Sequence, residues 1–400
     1  MRRSDTIVGK VIRLIGLIGL MGLMGACSSE QELEPEARIP LEVMPCMTPY
    51  EEEYAPTRAW QPPVGFSEIE GTESKSIGIC FTQDRHEPKQ GYFVYSTSTE
   101  KWYTSVENIQ ADTYYLYGYY PHVGGITCDI SSSATPNDNT SYSTGAVMTL
   151  RNQPSATPND MCVVVGAKNG YNNYNYDPAG NYTIEGLKRG DFAYSAAAAS
   201  GTPPTAHGNY VFLLFDHLYS AVRFQFKVDD TYNSLRHIKL KKLELQAFAG
   251  DTQYPLKTEI TVTLKKTTDG SDPIESIVYT PTGTADPEEW SSFFTSAEGE
   301  LVTTSYGTFK DCYFSPRSIT KLRLKSTYDI YDTNATDEHP EGNLIRKDSE
   351  AENEIDINTL FFPEPVALRS KRYTIRLTIQ PTYLYMMSDP DLDNPSLTLD

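Results

Sequence analysis

Apolar and polar side chains alternate along most of this chain with a period of two, the spacing of a strand with one buried and one wet face. The clearest case is Val222-Arg223-Phe224-Gln225-Phe226-Lys227-Val228, in which every second side chain is apolar. Lys239-Leu240-Lys241-Lys242-Leu243-Glu244-Leu245-Gln246 repeats the pattern with one slip, as a bulge would produce. Similar runs, bounded by turn residues, predict strands at Ile39–Val43, Ser76–Thr82, Tyr92–Ser96, Thr113–Tyr120, Met161–Ala167 and Tyr210–Phe215. The series continues at Ala221–Val228, His237–Ala247, Glu259–Lys265, Ile319–Ser326 and Tyr373–Gln380. No segment sustains the apolar i, i+3, i+4, i+7 stripe that would demand a helix. Many short strands with frequent turns predict antiparallel sandwiches, with His237–Ala247 next to Ala221–Val228 in one sheet.

Two stretches break the rhythm. Ser131–Pro158 is rich in Ser, Thr, Asn and Pro, and Ser-Ala-Thr-Pro-Asn-Asp occurs at 133–138 and again at 155–160, a local duplication of a turn. Thr267–Glu300 is a second turn-rich excursion, with Asp269-Gly270, Asp272-Pro273 and Asp286-Pro287. Ala196–Ala199 passes into Gly201-Thr202-Pro203-Pro204, which places a domain boundary near Ser200–Gly208. The expected division is a signal peptide at 1–26, an acidic tether at 27–38, an N-terminal sandwich at 39–205 and a C-terminal sandwich at 206–400.

The N-terminus differs from everything after it. Arg2, Arg3, Lys10 and Arg13 precede an uncharged apolar run from Leu14 to Ala26 that ends at Cys27. That run is shorter than the roughly 20 residues of a spanning helix and has the layout of a cleaved secretory signal. Met24-Gly25-Ala26-Cys27 places small residues before a cysteine, as a bacterial lipobox does, so Cys27 is the expected lipidation site. Met24 stands where Leu is commoner, and the alternative is an ordinary secretory signal with an incidental cysteine. The polar, acidic run Ser28–Ala37 suits a solvated tether.

Charge and cysteine usage narrow the function. Residues 1–26 carry +3, so their loss takes the net charge from −19 to −22, which excludes the electrostatic footprint of a nucleic-acid binder. Cys46, Cys80, Cys128, Cys162 and Cys312 are scattered without a C-x-x-C or a paired His spacing, so no metal site is expected. One or two disulfides are compatible with an oxidising envelope, and burial as small hydrophobes is the alternative. His217, with Asp216, Asp191 and either Ser195 or Ser220, has the residue types of a hydrolytic triad. No nucleophile motif or oxyanion-hole glycine cluster accompanies them, so no catalytic residue and no cofactor are assigned. Asp389, Asp391 and Asp393 have the first spacings of a calcium loop and Asp400 falls at position twelve, but Asn394 replaces the turn glycine and Pro395 follows. Tyr171, Tyr174 and Tyr176, interleaved with Asn172, Asn173 and Asn175, are candidates for stacking on sugars. The alternative is a Tyr-rich loop packed on its own sandwich.

Four features in order carry a resemblance: Gly91-Tyr92-Phe93-Val94-Tyr95 followed by Trp102; Tyr114-Tyr115-Leu116-Tyr117-Gly118-Tyr119-Tyr120-Pro121; Gly190-Asp191-Phe192-Ala193-Tyr194; and Phe215-Asp216-His217-Leu218-Tyr219-Ser220-Ala221-Val222-Arg223-Phe224, with Tyr232 and Ile238-Lys239-Leu240 behind it. Following a lipobox, this set resembles the fimbrillin-like family of outer-membrane lipoproteins that build type V pili in anaerobic Gram-negative bacteria. The tail from Leu377 through Asp389–Asp393 to Leu399 has no counterpart in the resemblance. The fold class expected is all-β, two antiparallel β-sandwich domains of transthyretin-like, Greek-key type. The resemblance implies a precursor held in the outer membrane by lipid, cut after an arginine by a trypsin-like protease, and polymerised when the vacated groove accepts a strand from the next subunit. On that reading Ile39–Val43 is the removable strand and Arg58 the cut site, with Arg38 the second choice. The implied partners are other fimbrial subunits, the outer membrane through Cys27, and surface glycans or proteins. A non-polymerising lipoprotein that binds glycans at the cell surface is the alternative.

Overall fold

The computed structural model describes residues 42–52, 64–65, 76–96, 101–106, 109, 112–125, 127–135, 138, 140–170, 175–176, 182–183, 186–195, 210–317, 319–336, 340–356, 368–383 and 390–399. Nearly all regular structure among them is β, in four main sheets. The largest runs in the order Val64–Gly65, Glu42–Met47, Tyr210–His217, Cys162–Gly170, Thr113–Tyr120, Ser76–Thr82, Lys89–Ser96 and Lys101–Thr104, with Ala193–Ser195 also on Thr113–Tyr120. This sheet curls until Glu42–Met47 lies near Lys101–Thr104. Val43, Met47, Ile77, Ile79, Phe81, Phe93, Leu116, Val211, Leu213 and Phe215 fill the inside of the curl. Its other face packs on a sheet ordered Ile274–Thr282, Lys257–Lys265, Gly145–Pro154 and Thr127–Ser132.

Burial on both faces explains the composition of the central strands. Tyr210–His217 is an almost unbroken apolar run because Val211, Leu213 and Phe215 point into the curl while Leu214 joins the core between the sheets, and a strand covered on two sides has no wet face to fill with polar residues. Ser220–Val228 shows the opposite case. Val222, Phe224, Phe226 and Val228 are buried and Arg223, Gln225 and Lys227 are half-buried on the other face. It sits in a sheet of Ala156–Thr157, Gly307–Phe314, Ser220–Val228, Lys371–Tyr383 and Glu51–Glu52, with Pro390–Leu399 also on Lys371–Tyr383. Facing it are Thr252–Gln253, His237–Ala249, Lys321–Tyr331 and Leu344–Asp356, with Ser291–Leu301 on His237–Ala249.

Several expectations are corrected here. His237–Ala249 does not lie beside Ser220–Val228; it belongs to the facing sheet. Between them the Asp229 carboxylate accepts from the Thr231 and Tyr232 amides and starts a one-turn helix, Asp230–Asn233, whose buried Tyr232 turns the chain across the core. The sheets are antiparallel as expected except at three pairings: Glu42–Met47 runs parallel to Tyr210–His217, and both Ser220–Val228 and Glu51–Glu52 run parallel to Lys371–Tyr383. The turn-rich stretches contain full strands: Gly145–Pro154 alternates buried Ala146, Met148 and Leu150, and Ile274–Thr282 and Ser291–Leu301 occupy the second excursion. Neighbouring Ser, Thr, Pro and Gly masked their periodicity. The slip in the lysine-rich strand is a bulge between Leu240 and Lys242. Three sheets draw strands from both sides of residues 205–206, through the pairings of Tyr210–His217 with Cys162–Gly170, of Lys257–Lys265 with Gly145–Pro154, and of Gly307–Phe314 with Ala156–Thr157.

Candidate functional site

The N-terminal segment is the part of the molecule whose placement carries most functional information. Of the strand expected at Ile39–Val43, Glu42 and Val43 open the described strand Glu42–Met47, and Ile39 to Leu41 lie outside the described residues. Val43 and Met47 enter the curl while Cys46 faces the core between the sheets, where its thiol donates to the Leu213 carbonyl at 3.5 Å. Both faces of the strand are therefore apolar. Tyr210–His217 supplies a continuous parallel ladder from Glu42 to Met47, whereas Val64–Gly65 covers the other edge only at Cys46 and Met47.

Beyond the strand the chain crosses a buried polar anchor. The Thr48 amide donates to the Phe215 carbonyl at 3.1 Å, and its hydroxyl donates to Asp216 at 2.8 Å. Tyr50 stacks on His217 with ring centroids 3.6 Å apart, and its hydroxyl donates to Asp160 Oδ1 at 2.6 Å. His217 Nε2 donates to the Thr48 carbonyl at 2.6 Å, and Nδ1 meets Asp160 Oδ2 at 2.6 Å. A carbonyl and a carboxylate face the two ring nitrogens, so the imidazole donates from Nε2 to the carbonyl while Nδ1 is hydrogen-bonded to Asp160. Burial opposes the charged ring, but Asp160, its hydrogen bond, Asp216 and the Thr48 carbonyl together raise the His217 pKa. The chain then enters the other sandwich: Glu51–Glu52 pairs with Lys371–Arg372, the Glu51 amide donates to Ser370 O at 2.8 Å, and the Arg372 guanidinium lies 5.1 Å from the Tyr50 ring centre.

A second charged cluster braces the first. Asp216 accepts from Arg189 at 2.7 Å and Arg369 at 2.8 Å, and both arginines also reach Asp272. Burial works against the Asp216 carboxylate, yet Arg369, Arg189 and His217 hold its pKa well below the usual carboxylate range. His217 and Asp216 thus act together, as partners of the N-terminal segment. Ser195 is exposed and bonded through its backbone to Asn169, and the Ser220 hydroxyl donates to the Phe314 carbonyl, so neither serine is placed to be activated by the imidazole. Asp160, Cys162 and His217 also form a cluster of metal-ligating types, with their ligand atoms within 4.8 Å of one another. Two atoms each about 2.0 Å from one tetrahedral ion would stand roughly 3.3 Å apart. The 2.6 Å Nδ1–Oδ2 separation is that of a hydrogen bond.

The other sequence-derived candidates are scattered. Cys27, Arg38, Arg58, Tyr171, Tyr174, Asp389 and Asp400 lie outside the described residues. Tyr176 belongs to the short strand Asn175–Tyr176, paired with Tyr182–Thr183. Asp391 and Asp393 fall in the extended strand Pro390–Leu399, not in a helix-flanked loop. Tyr50 and Asp160 were not singled out from sequence, since nothing local marks either as buried. Among the described residues no helix is long and apolar enough to cross a membrane.

No family model matches this chain, and no curated protein matches it. Solved structures to which it is similar include a candidate cell adhesion protein of Bacteroides fragilis at 9% identity and a TM-score of 0.35, covering 90% of this chain and 96% of that one. A fimbrial protein of Bacteroides vulgatus is similar at 12% identity and a TM-score of 0.33, with 90% and 98% covered. A candidate cell adhesion protein of Bacteroides uniformis is similar at 11% identity and a TM-score of 0.33, with 92% and 98% covered.

Proposed function

We propose that this chain is a structural, adhesive subunit of a bacterial surface fimbria of the type V kind, delivered as a precursor lipidated at Cys27 and assembled by β-strand addition. The observation that carries the reading is the strand Glu42–Met47: it fills a parallel slot beside Tyr210–His217 and is apolar on both faces, and it precedes Arg58 in the sequence, so a cut there detaches it. Removal of a strand with buried Val43, Cys46 and Met47 leaves a lined groove and an open ladder edge on Tyr210–His217, which a strand of another subunit can cover. Backbone hydrogen bonds give continuity along the fibre. The pockets of Val43 and Met47 give selectivity.

Limited trypsin treatment of the folded precursor tests this. Cleavage first at Arg58, followed by ladders of oligomers that survive mild detergent, supports the proposal, and Arg58→Ala should block both. Efficient polymerisation of Arg58→Ala with its lipid and first strand intact would refute it. Cys27→Ala should abolish incorporation of a fatty-acid analogue, and labelling that persisted would remove the lipid anchor from the scheme.

A further inference from the structure

Two cysteines from facing sheets meet at one corner of the curled sheet. On Ser76–Thr82, Ile77, Ile79 and Phe81 point into the curl, so Gly78, Cys80 and Thr82 point to the opposite face. There the Tyr119 ring crosses Gly78 so closely that a Cβ at Gly78 would lie 2.3 Å from it, and Tyr119 belongs to the core between the two sheets, against which Cys128 and Ile130 pack. Cys128 stands on Thr127–Ser132, the outermost strand of the facing sheet. Cys80 pairs in register with Tyr117, whose hydroxyl donates to the Tyr142 carbonyl at 2.6 Å, and the Tyr142 hydroxyl in turn donates to Ile130 O at 3.4 Å. The two sheets are thus bonded together around this point. The Cys80 thiol neighbours that of Cys128, and the Cys128 thiol faces the Asp129 carbonyl at 3.8 Å.

We propose that Cys80 and Cys128 are an oxidation site that closes into an inter-sheet disulfide, pinning the edge strand Thr127–Ser132 to the curled sheet. One cysteine from each layer of a sandwich is the arrangement in which a single bridge ties both sheets. The pair is chemically asymmetric. Cys128 is half-buried and accessible, whereas Cys80 is 1% exposed. The Cys128 thiolate therefore attacks a small disulfide oxidant, forming a mixed disulfide and releasing one thiolate. Cys80 then loses its proton, attacks Cys128 Sγ and expels the second thiolate. Two protein thiols become one disulfide, and one oxidant disulfide becomes two thiols. Oxidation in the cell rests on the export reading above, since an envelope compartment supplies such oxidants; the chemistry of the purified chain does not.

The test is to hold the purified full chain in glutathione disulfide, then denature it, alkylate free thiols and map peptides without reduction. The expected product links the Cys80 and Cys128 peptides, leaves Cys46, Cys162 and Cys312 alkylated, and is two hydrogen atoms lighter than the reduced protein. Its thermal midpoint should rise on the order of 5 °C or more over the reduced form. Cys128→Ser should leave Cys80 alkylated and abolish the oxidant-dependent rise. Alkylated Cys80 and Cys128 in the oxidised wild type, a different pairing, or a rise that persists in Cys128→Ser would overturn the site. If the purified chain forms the bridge but chain recovered from intact cells carries both thiols free, the export reading fails and the site stands.

Discussion

Two strands at or near sheet margins among the described residues are built in opposite ways. Glu42–Met47 has six residues, runs parallel to its neighbour and buries side chains on both faces. Leu344–Asp356 has thirteen, runs antiparallel to Lys321–Tyr331, and buries only Ile355. Charges cover its length, with Glu350 at 3.2 Å from Lys325 and Glu352 and Glu354 reaching Arg323 and Lys321. A charged edge repels an incoming strand. An apolar one, if uncovered, invites it. The molecule thus protects one margin by its own surface chemistry and the other by occupying it with a segment that it then ties down through Thr48, Tyr50, Asp160 and His217.

Breaking that contrast should have its largest effect at the N-terminus. Burial of Val43 and Met47 alone is worth about 3–6 kcal/mol, a large share of the roughly 5–15 kcal/mol that holds a domain together. A variant lacking residues 28–58 is therefore expected to lose its monomeric fold, and a peptide spanning residues 39–52 added in trans should restore a cooperative melt. Failure of the peptide to rescue would mean that the segment is a structural part of the core and not an exchangeable strand. Next in size is His217→Ala, which takes the imidazole from Asp160 Oδ2 and the Thr48 carbonyl in a buried site. About 3–5 kcal/mol of stability should be lost in urea titrations, and amide exchange should accelerate in Glu42–Met47 while Leu344–Asp356 keeps its native rates.

The same imidazole gives the anchor a pH dependence. Folding raises the His217 pKa, so its contribution is complete below the unfolded value of about 6.5 and fades as pH rises through the folded value. Exchange of the Glu42–Met47 amides, corrected for intrinsic rates, should accelerate on that alkaline side, and His217→Ala should flatten the profile. Tyr50→Phe keeps the stacked ring and removes one charge-assisted hydrogen bond, for a loss of about 1–3 kcal/mol. The smallest effect belongs to the other strand. Glu350→Ala deletes an exposed ion pair and should change stability by no more than about 0.5 kcal/mol, and light scattering should show whether the less charged edge associates.

The sequence by itself determined the strands whose two faces differ. Ser220–Val228 and Lys257–Lys265 lie within one or two residues of where their alternation places them, and the slip at Leu240–Lys242 is a real bulge, because a core-facing side chain must be apolar and its neighbour need not be. Pairing partners were not legible. Ser220–Val228 has the same pattern whether its successor lies beside it or opposite it, and the capped turn at Asp229 decided between the two. The duplicated hexapeptide shows the limit most clearly. Asp138 ends the first copy in an exposed turn, accepting from the Thr140 amide and hydroxyl, while Asp160 ends the second copy at 3% exposure, bonded to Tyr50 and His217. Six identical residues set the same local turn preferences, but burial and partners come from segments more than fifty residues away. Only the tertiary structure brings those segments together, and it alone turned one of two equal aspartates into the anchor of the N-terminal strand.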